Sequence, residues 1–350
     1  MRAHEVTGRF TTARPHVLAS GPRSLLVAVL VAACGSAATG RVTAPRSPRM
    51  ARWLAFAHVQ RPLDLVASED GGQIVAAADG RLWLLGPTGT LTPFARGPQV
   101  YVSPGGEEPY IAPSPGGCYG TTGSVYALRL VSGRGVVAVT ADGRARRFAH
   151  LGAPGLIDGI TFDTTGDFGH RLLVTINAGA TTTVDAIDCA GGVHTITRTA
   201  PRVEGGVAVA PTTFGRFAGD LIAPGEVSGR VFAITPGGAA RLVATSELPH
   251  GNDIGVESEA FIPPRPGLDA LLADRLTPGN PHPGDDLVLR IPASALRAAG
   301  AGPGDLLVAT EGGTLTDAVT CTAAGCHVRL VAVGPAIAHA EGHIAFAQTQ

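Results

Sequence analysis

The feature that most constrains this chain is a short pattern that keeps returning, an acidic residue leading into a brief apolar strand. It is clearest at Val203-Glu204-Gly205-Gly206-Val207-Ala208-Val209-Ala210-Pro211. It recurs at Asp64-Leu65-Val66-Ala67, Glu108-Pro109-Tyr110-Ile111-Ala112, Asp158-Gly159-Ile160-Thr161-Phe162, Glu257-Ser258-Glu259-Ala260-Phe261-Ile262 and Glu341-Gly342-His343-Ile344-Ala345-Phe346. The leading acids lie 44, 50, 46, 53 and 84 residues apart. A strand-borne period of this size marks a propeller-type repeat.

A second signal runs in phase with the first. Apolar strands end in glycine turns at Leu82 to Gly89, Val136 to Gly143, Val184 to Gly192 and Val231 to Gly238. Glycine tolerates the positive φ that tight hairpins need. Gly143, Gly192 and Gly238 fall 35, 34 and 34 residues after their leading acids, and Gly89 falls 25 after Asp64. Another strand lies between acid and hairpin in each copy, at 73–77, 124–128, 171–176 and 219–223. Four short strands per unit are the content of one blade, and a blade must pack against neighbours to bury both faces.

The last third is less regular. A fifth unit starts at Glu257 and is expected to continue through Asp269 to Asp274 and Asp286 to Ile291. Ala293 to Ala299 reads as a single helical decoration. The strands 305–310, 318–321 and 326–333 are then expected to be the outer three of a sixth blade, with 339–347 as its inner strand. The expected fold is an all-β, six-bladed propeller closed by the C-terminal strand, with five or seven blades as the alternatives.

Composition narrows function. Only 16% of the 350 residues are charged and the net charge is −1, which gives no reason to expect nucleic acid as a partner. All 27 basic residues are Arg, so phosphate-loop lysine, Schiff-base and lysine general-base chemistry are excluded. Serine-nucleophile elbow, zinc-protease helix and dinucleotide-loop patterns are absent from the sequence. Aromatics at 5% leave little for a stacking platform.

The N-terminus reads as a targeting segment. Arg2, Arg9, Arg14 and Arg23 precede the apolar run Leu25 to Ala33, long enough for a signal core and too short to span a bilayer. The run ends in Val31-Ala32-Ala33-Cys34, which resembles the lipobox of bacterial lipoproteins. That resemblance implies lipidation of Cys34, membrane attachment and an extracytoplasmic place in the bacterial cell envelope; the alternative is an ordinary secretory signal. The expected division is a signal peptide over 1–34, a flexible tether over 35–52 and the propeller over 53–350. Of the five cysteines, four follow Cys34. In an exported chain they favour disulfides, and the expected pairs are Cys321 with Cys326, across a hairpin, and Cys118 with Cys189.

The blade count, the acidic starts and the glycine hairpins resemble the regucalcin and gluconolactonase family and the NHL-repeat propellers. The resemblance covers about Pro62 to Gln348. It implies inner strands around a central channel and, in the lactonase branch, a divalent cation bound by a glutamate at the start of an inner strand together with Asn and Asp from other blades. Glu204, Glu257 and Glu341 match that glutamate by position, and no stretch matches the Asn and Asp ligands.

Two clusters could carry metal chemistry. In His339-Ala340-Glu341-Gly342-His343 the polar residues alternate, so an ideal strand would place all three on one face, suiting zinc or another transition ion. Residues two apart on a strand are about 7 Å apart, which strains a shared ion. The competing reading is a polar channel wall bonded to backbone groups. Asn252, Asp253, Glu257 and Glu259 gather oxygen donors that suit calcium, or Asn252 and Asp253 simply form a turn. Two functions remain open: a non-catalytic envelope propeller presenting a surface to a protein or small ligand, or a divalent-metal-dependent hydrolase of lactonase or esterase type.

Overall fold

The computed structural model describes residues 49–95, 101–105, 108–131 and 133–350. Cys34 and nearly all of the expected signal and tether lie outside the described residues. The described chain forms six β-sheets, joined by short turns and one α-helix, Ala293–Ala298.

Four blades are built from consecutive antiparallel strands. Blade 1 comprises Pro62–Ala67, Ile74–Ala78, Arg81–Leu85 and Leu91–Pro93. Blade 2 comprises Ile111–Pro113, Val125–Arg129, Gly135–Val139 and Ala145–His150. Blade 3 comprises Leu156–Phe162, Leu172–Ala178, Thr181–Ile187 and Val193–Pro201, and blade 4 comprises Ala208–Val209, Leu221–Gly225, Arg230–Ile234 and Ala240–Thr245.

The last two blades differ from the sequence expectation. Val256–Phe261 pairs with Leu306–Thr310, which continues to Thr316–Cys321 and Cys326–Val333, forming blade 5. Asp269–Asp274 and Leu287–Ile291 belong instead to blade 6, between the inner strand Ala340–Ala347 and the outer strand Leu54–His58. The chain therefore leaves blade 5 after its inner strand, builds the middle of blade 6, and returns past the helix. Sequence order misassigned these strands because local pattern identifies a strand without specifying its partner. Both ends of the domain clasp blade 6, so ring closure uses an N-terminal as well as the C-terminal strand. Ala51–Arg52, placed in the tether from sequence, adds to blade 5 as a parallel fifth strand.

The inner strands contact one another around the ring, and that of blade 6 contacts that of blade 1. Strands such as Ile74–Ala78 and Gly135–Val139 are buried at every position because each sheet has a neighbour on both faces. The core is divided into six apolar clusters, one per blade interface. Phe214 at the interface of blades 4 and 5 meets Phe261 edge-on at 4.8 Å between centroids. Such packing holds the inner strands rigidly enough to position side chains in the channel.

Candidate metal centre at the acidic end of the channel

All six leading acids sit at or just before the start of an inner strand, so the ring brings them to one end of the channel. Their chemistry then divides by length. The two aspartates bond backbone amides of neighbouring blades, and each also accepts from a side chain, Asp64 from His343 and Asp158 from Asn177. Asp64 accepts the amides of Ile111 from blade 2 and His343 from blade 6, each at 2.8 Å. Asp158 accepts the Gly205 amide at 2.9 Å. Each aspartate thus staples its blade to a neighbour.

The glutamates, one methylene longer, extend toward each other. Tyr110 donates its hydroxyl to Glu257 Oε1 at 2.6 Å and lies 3.3 Å from Glu341 Oε2. Arg275 donates to Glu341 Oε1 at 3.1 Å. His339 Nε2 lies 3.3 Å from the same oxygen and 3.0 Å from Glu311 Oε1. Ligand-capable atoms of Glu108, Glu257 and Glu341 fall within 4.8 Å of one another, as do those of Glu311, His339 and Glu341. Glu341 belongs to both groups.

Glycines make this convergence possible. Gly205 has φ +80, and a Cβ there would lie 2.2 Å from Glu257 Cγ. Gly342 has φ +67, and a Cβ there would lie 2.4 Å from Asp64 Oδ1. The residue after the acid is therefore glycine at these positions because the neighbouring blade's acid occupies the space of a side chain.

Burial and mutual repulsion act together on these groups. Burial, then Glu341, Asp158, Glu204 and Glu311, push the Glu108 carboxyl well above the usual range. Burial, then Glu311, Glu108 and Glu341, do the same to Glu257. Glu311 is pushed up to about 10 by burial and by Glu341, Glu226, Asp253 and Glu204. Glu226 rises to about 7 through burial and Glu204. Buried Glu108 Oε2, Glu226 Oε1 and His339 Nδ1 have no hydrogen-bond partner among protein atoms. A divalent cation suits such a set, since it replaces both the protons and the missing partners.

The predicted site residues separate on this map. Glu257, Glu341 and His339 meet, joined by Glu108 and Glu311. Glu204 is held by Arg202 in a fork with contacts of 3.0 and 2.9 Å, and belongs to neither group of ligand-capable atoms. His343 does not share a face with His339: the left-handed Gly342 breaks the strand alternation, and His343 Nδ1 instead donates to Asp64 at 3.0 Å. Burial lowers the His343 pKa, but the Asp64 carboxylate outweighs it and leaves the imidazole raised. Glu259 is also outside both groups and lies further along the channel. Asn252 and Asp253 are exposed, with Asp253 at φ +62 in a turn, and Asp253 reaches the acidic end through its backbone, which bonds the Glu226 carboxyl, and as a nearby charge on Glu226 and Glu311.

Glu311, in a Glu-Gly-Gly stretch that by sequence is either a channel carboxylate or a mere turn, also enters the site, as does Glu226, which sequence reasoning missed. Neither occupies a repeated position; Glu226 begins a short turn, Glu226–Ser228, after the second strand of blade 4. Of the cysteines, Cys321 and Cys326 form the expected disulfide across their hairpin. The second expected bond is absent: Cys118 and Cys189 are free thiols that stand side by side, and their contact heads the causes that raise the Cys118 thiol.

Next to the acidic end, a cleft between blades 1 and 2 is lined by Arg61, Arg81, Tyr101, Pro109 and Arg275. Pro109 follows Glu108, and Arg275 bonds Glu341, so cleft and acids adjoin.

No protein-family profile and no curated protein sequence matches the chain. Solved structures similar to it include virginiamycin B lyase from Staphylococcus aureus, at 13% identity over 79% of this chain and 73% of that one, with a TM-score of 0.44. A putative TolB from Agrobacterium tumefaciens matches at 10% identity over 82% and 90%, with a TM-score of 0.45. A gluconolactonase from Xanthomonas campestris matches at 11% over 69% and 89%, with a TM-score of 0.37. The six-bladed propeller itself is established by the sheet pairings above.

Proposed function

We propose that this chain is a cation-organised propeller of the bacterial cell envelope, which binds a small oxyanion-bearing ligand at the acidic end of its channel. The observation that carries the reading is Glu341, shared by Glu108 and Glu257 on one side and by Glu311 and His339 on the other. Carboxylate oxygens suit calcium or another hard divalent ion, and His339 widens the set to zinc and its neighbours. Arg61, Arg81 and Arg275 line the adjoining cleft against the single acid Asp79, which pairs with Arg61, and this excess of guanidinium favours a carboxylate or phosphate group. The basic N-terminal run, its apolar core and Cys34 support export and attachment to the membrane through a lipid.

A second reading, hydrolysis of a lactone or ester, draws on His339. The imidazole lies within 3.3 Å of both Glu311 and Glu341, so these residues could accept and hold a proton beside the cleft. A divalent ion bound there would supply Lewis acidity.

Metal analysis tests the first reading. Purified protein, dialysed without chelator, should retain about one equivalent of a divalent ion. Less than about a tenth of an equivalent removes the basis of both readings. If metal is present, hydrolysis of p-nitrophenyl acetate that is abolished by His339→Gln supports the second reading. Absence of that hydrolysis leaves the binding function alone.

A further inference from the structure

The opposite end of the channel, where the inner strands finish, holds a separate cavity of about 290 Å³. Inner-strand residues of every blade contribute to its wall, which is largely apolar and includes Ile160, Val207, Leu268, Ile344 and Phe346. Glu259 also lines it. This side chain is fully buried; the Ala208 backbone acts on it as a weak donor, and neither carboxylate oxygen has a hydrogen bond of normal geometry to a protein atom.

The polar groups nearby are already committed. His343 donates to Asp64, and Asp64 also accepts the amides of Leu65, Ile111 and His343. A metal ion needs several oxygen or nitrogen donors, and of the two uncommitted carboxylates lining this cavity among the described residues Glu69 is exposed, which leaves Glu259 as the one buried against the apolar wall. An unpaired buried carboxyl is costly to keep, while an apolar cavity offers contact area to an organic group. The missing partner is therefore a hydrogen-bond donor, best a cation, attached to an apolar body. The free volume equals that of about ten water molecules, enough for a single ring with a short side chain.

We propose that this cavity binds a small organic ammonium ion, a primary or secondary amine whose nitrogen pairs with Glu259 and whose body packs against Val207, Ile344 and Phe346. The inference rests on Glu259 and its cavity, and holds whether or not the acidic end carries a metal.

Titration calorimetry with benzylamine tests it. One benzylamine should bind per chain, and benzyl alcohol, the neutral isostere, should bind about tenfold or more weakly. Glu259→Gln should weaken benzylamine by a similar factor, whereas Glu69→Gln, at the exposed acid of the same cavity, should leave it unchanged. No benzylamine binding, equal affinity in Glu259→Gln, or loss in Glu69→Gln alone would each overturn the proposal. If Glu259→Gln does not fold, Thr161→Trp decides, since it keeps the carboxyl and fills the mouth. Undiminished binding in that variant also overturns it.

Discussion

At the end of the channel where the inner strands begin, Glu108, Glu257, Glu311 and Glu341 share their burial with one another, with His339 and with Arg275. At the end where the strands finish, Glu259 is buried among apolar groups with no hydrogen bond of normal geometry. Both ends raise the pKa of a carboxyl, for different reasons. Glu259 rises through loss of water, whereas Glu257 and Glu311 rise through loss of water plus repulsion from neighbouring carboxylates. Repulsion among several acids calls for a divalent ion, and a solitary acid calls for a single donor. Residue spacing alone would have treated Glu257 and Glu259 as one feature.

The largest effect expected from breaking this contrast is at Glu341. With calcium at a hundred times its dissociation constant, Glu341→Gln should lose about 3 kcal/mol of calcium-dependent stability, read by thermal melting. Glu259→Gln should leave the calcium response intact. Next comes Gly342→Ala, whose new Cβ would meet Asp64 at a left-handed backbone position. It should cost about 2 kcal/mol in chemical denaturation with or without calcium, because the damage is to the staple between blades 6 and 1.

Glu259→Gln sharpens the comparison through pH. A carboxyl whose folded pKa is raised contributes stability at low pH that is lost as pH climbs through the folded value. The wild type should therefore lose stability relative to Glu259→Gln as pH rises, with a gap of about 1–3 kcal/mol once Glu259 is forced to ionise. The gap should close at pH 5. The smallest effect belongs to Arg202→Ala: Arg202 is 39% exposed in its pair with Glu204, and its loss should cost below about 1 kcal/mol.

Much of this architecture was legible in the chain. The leading acids and hairpin glycines are local signals, repeated in phase, and they carry the six-bladed count. Strand partnership across the last two blades was not legible, because Val256–Phe261 and Ala340–Ala347 carry the same local pattern and only tertiary contacts assign their partners. The 84-residue gap between Glu257 and Glu341 was the one sign that the chain crosses between blades there. The site was half legible. Glu257, Glu341 and His339 were in view, but the separation of His343 depends on the left-handed Gly342, and the joining of Glu226 depends on a turn outside the repeat. The split between the stapling Asp64 and Asp158 and the converging Glu108, Glu257 and Glu341 follows from one methylene, which becomes decisive only once the distance between blades is known.

The central claim, that the acidic end is built around a divalent cation, is tested most directly by melting curves from pH 5 to pH 9 in EDTA and in calcium. Glu226, with a pKa near 7, and Glu311, near 10, should make the EDTA samples less stable as pH rises above the ordinary carboxylate range. Calcium should remove most of that fall and act most strongly at the alkaline end, where the carboxylates are free of protons. Superimposable curves in EDTA and calcium at every pH would contradict the account.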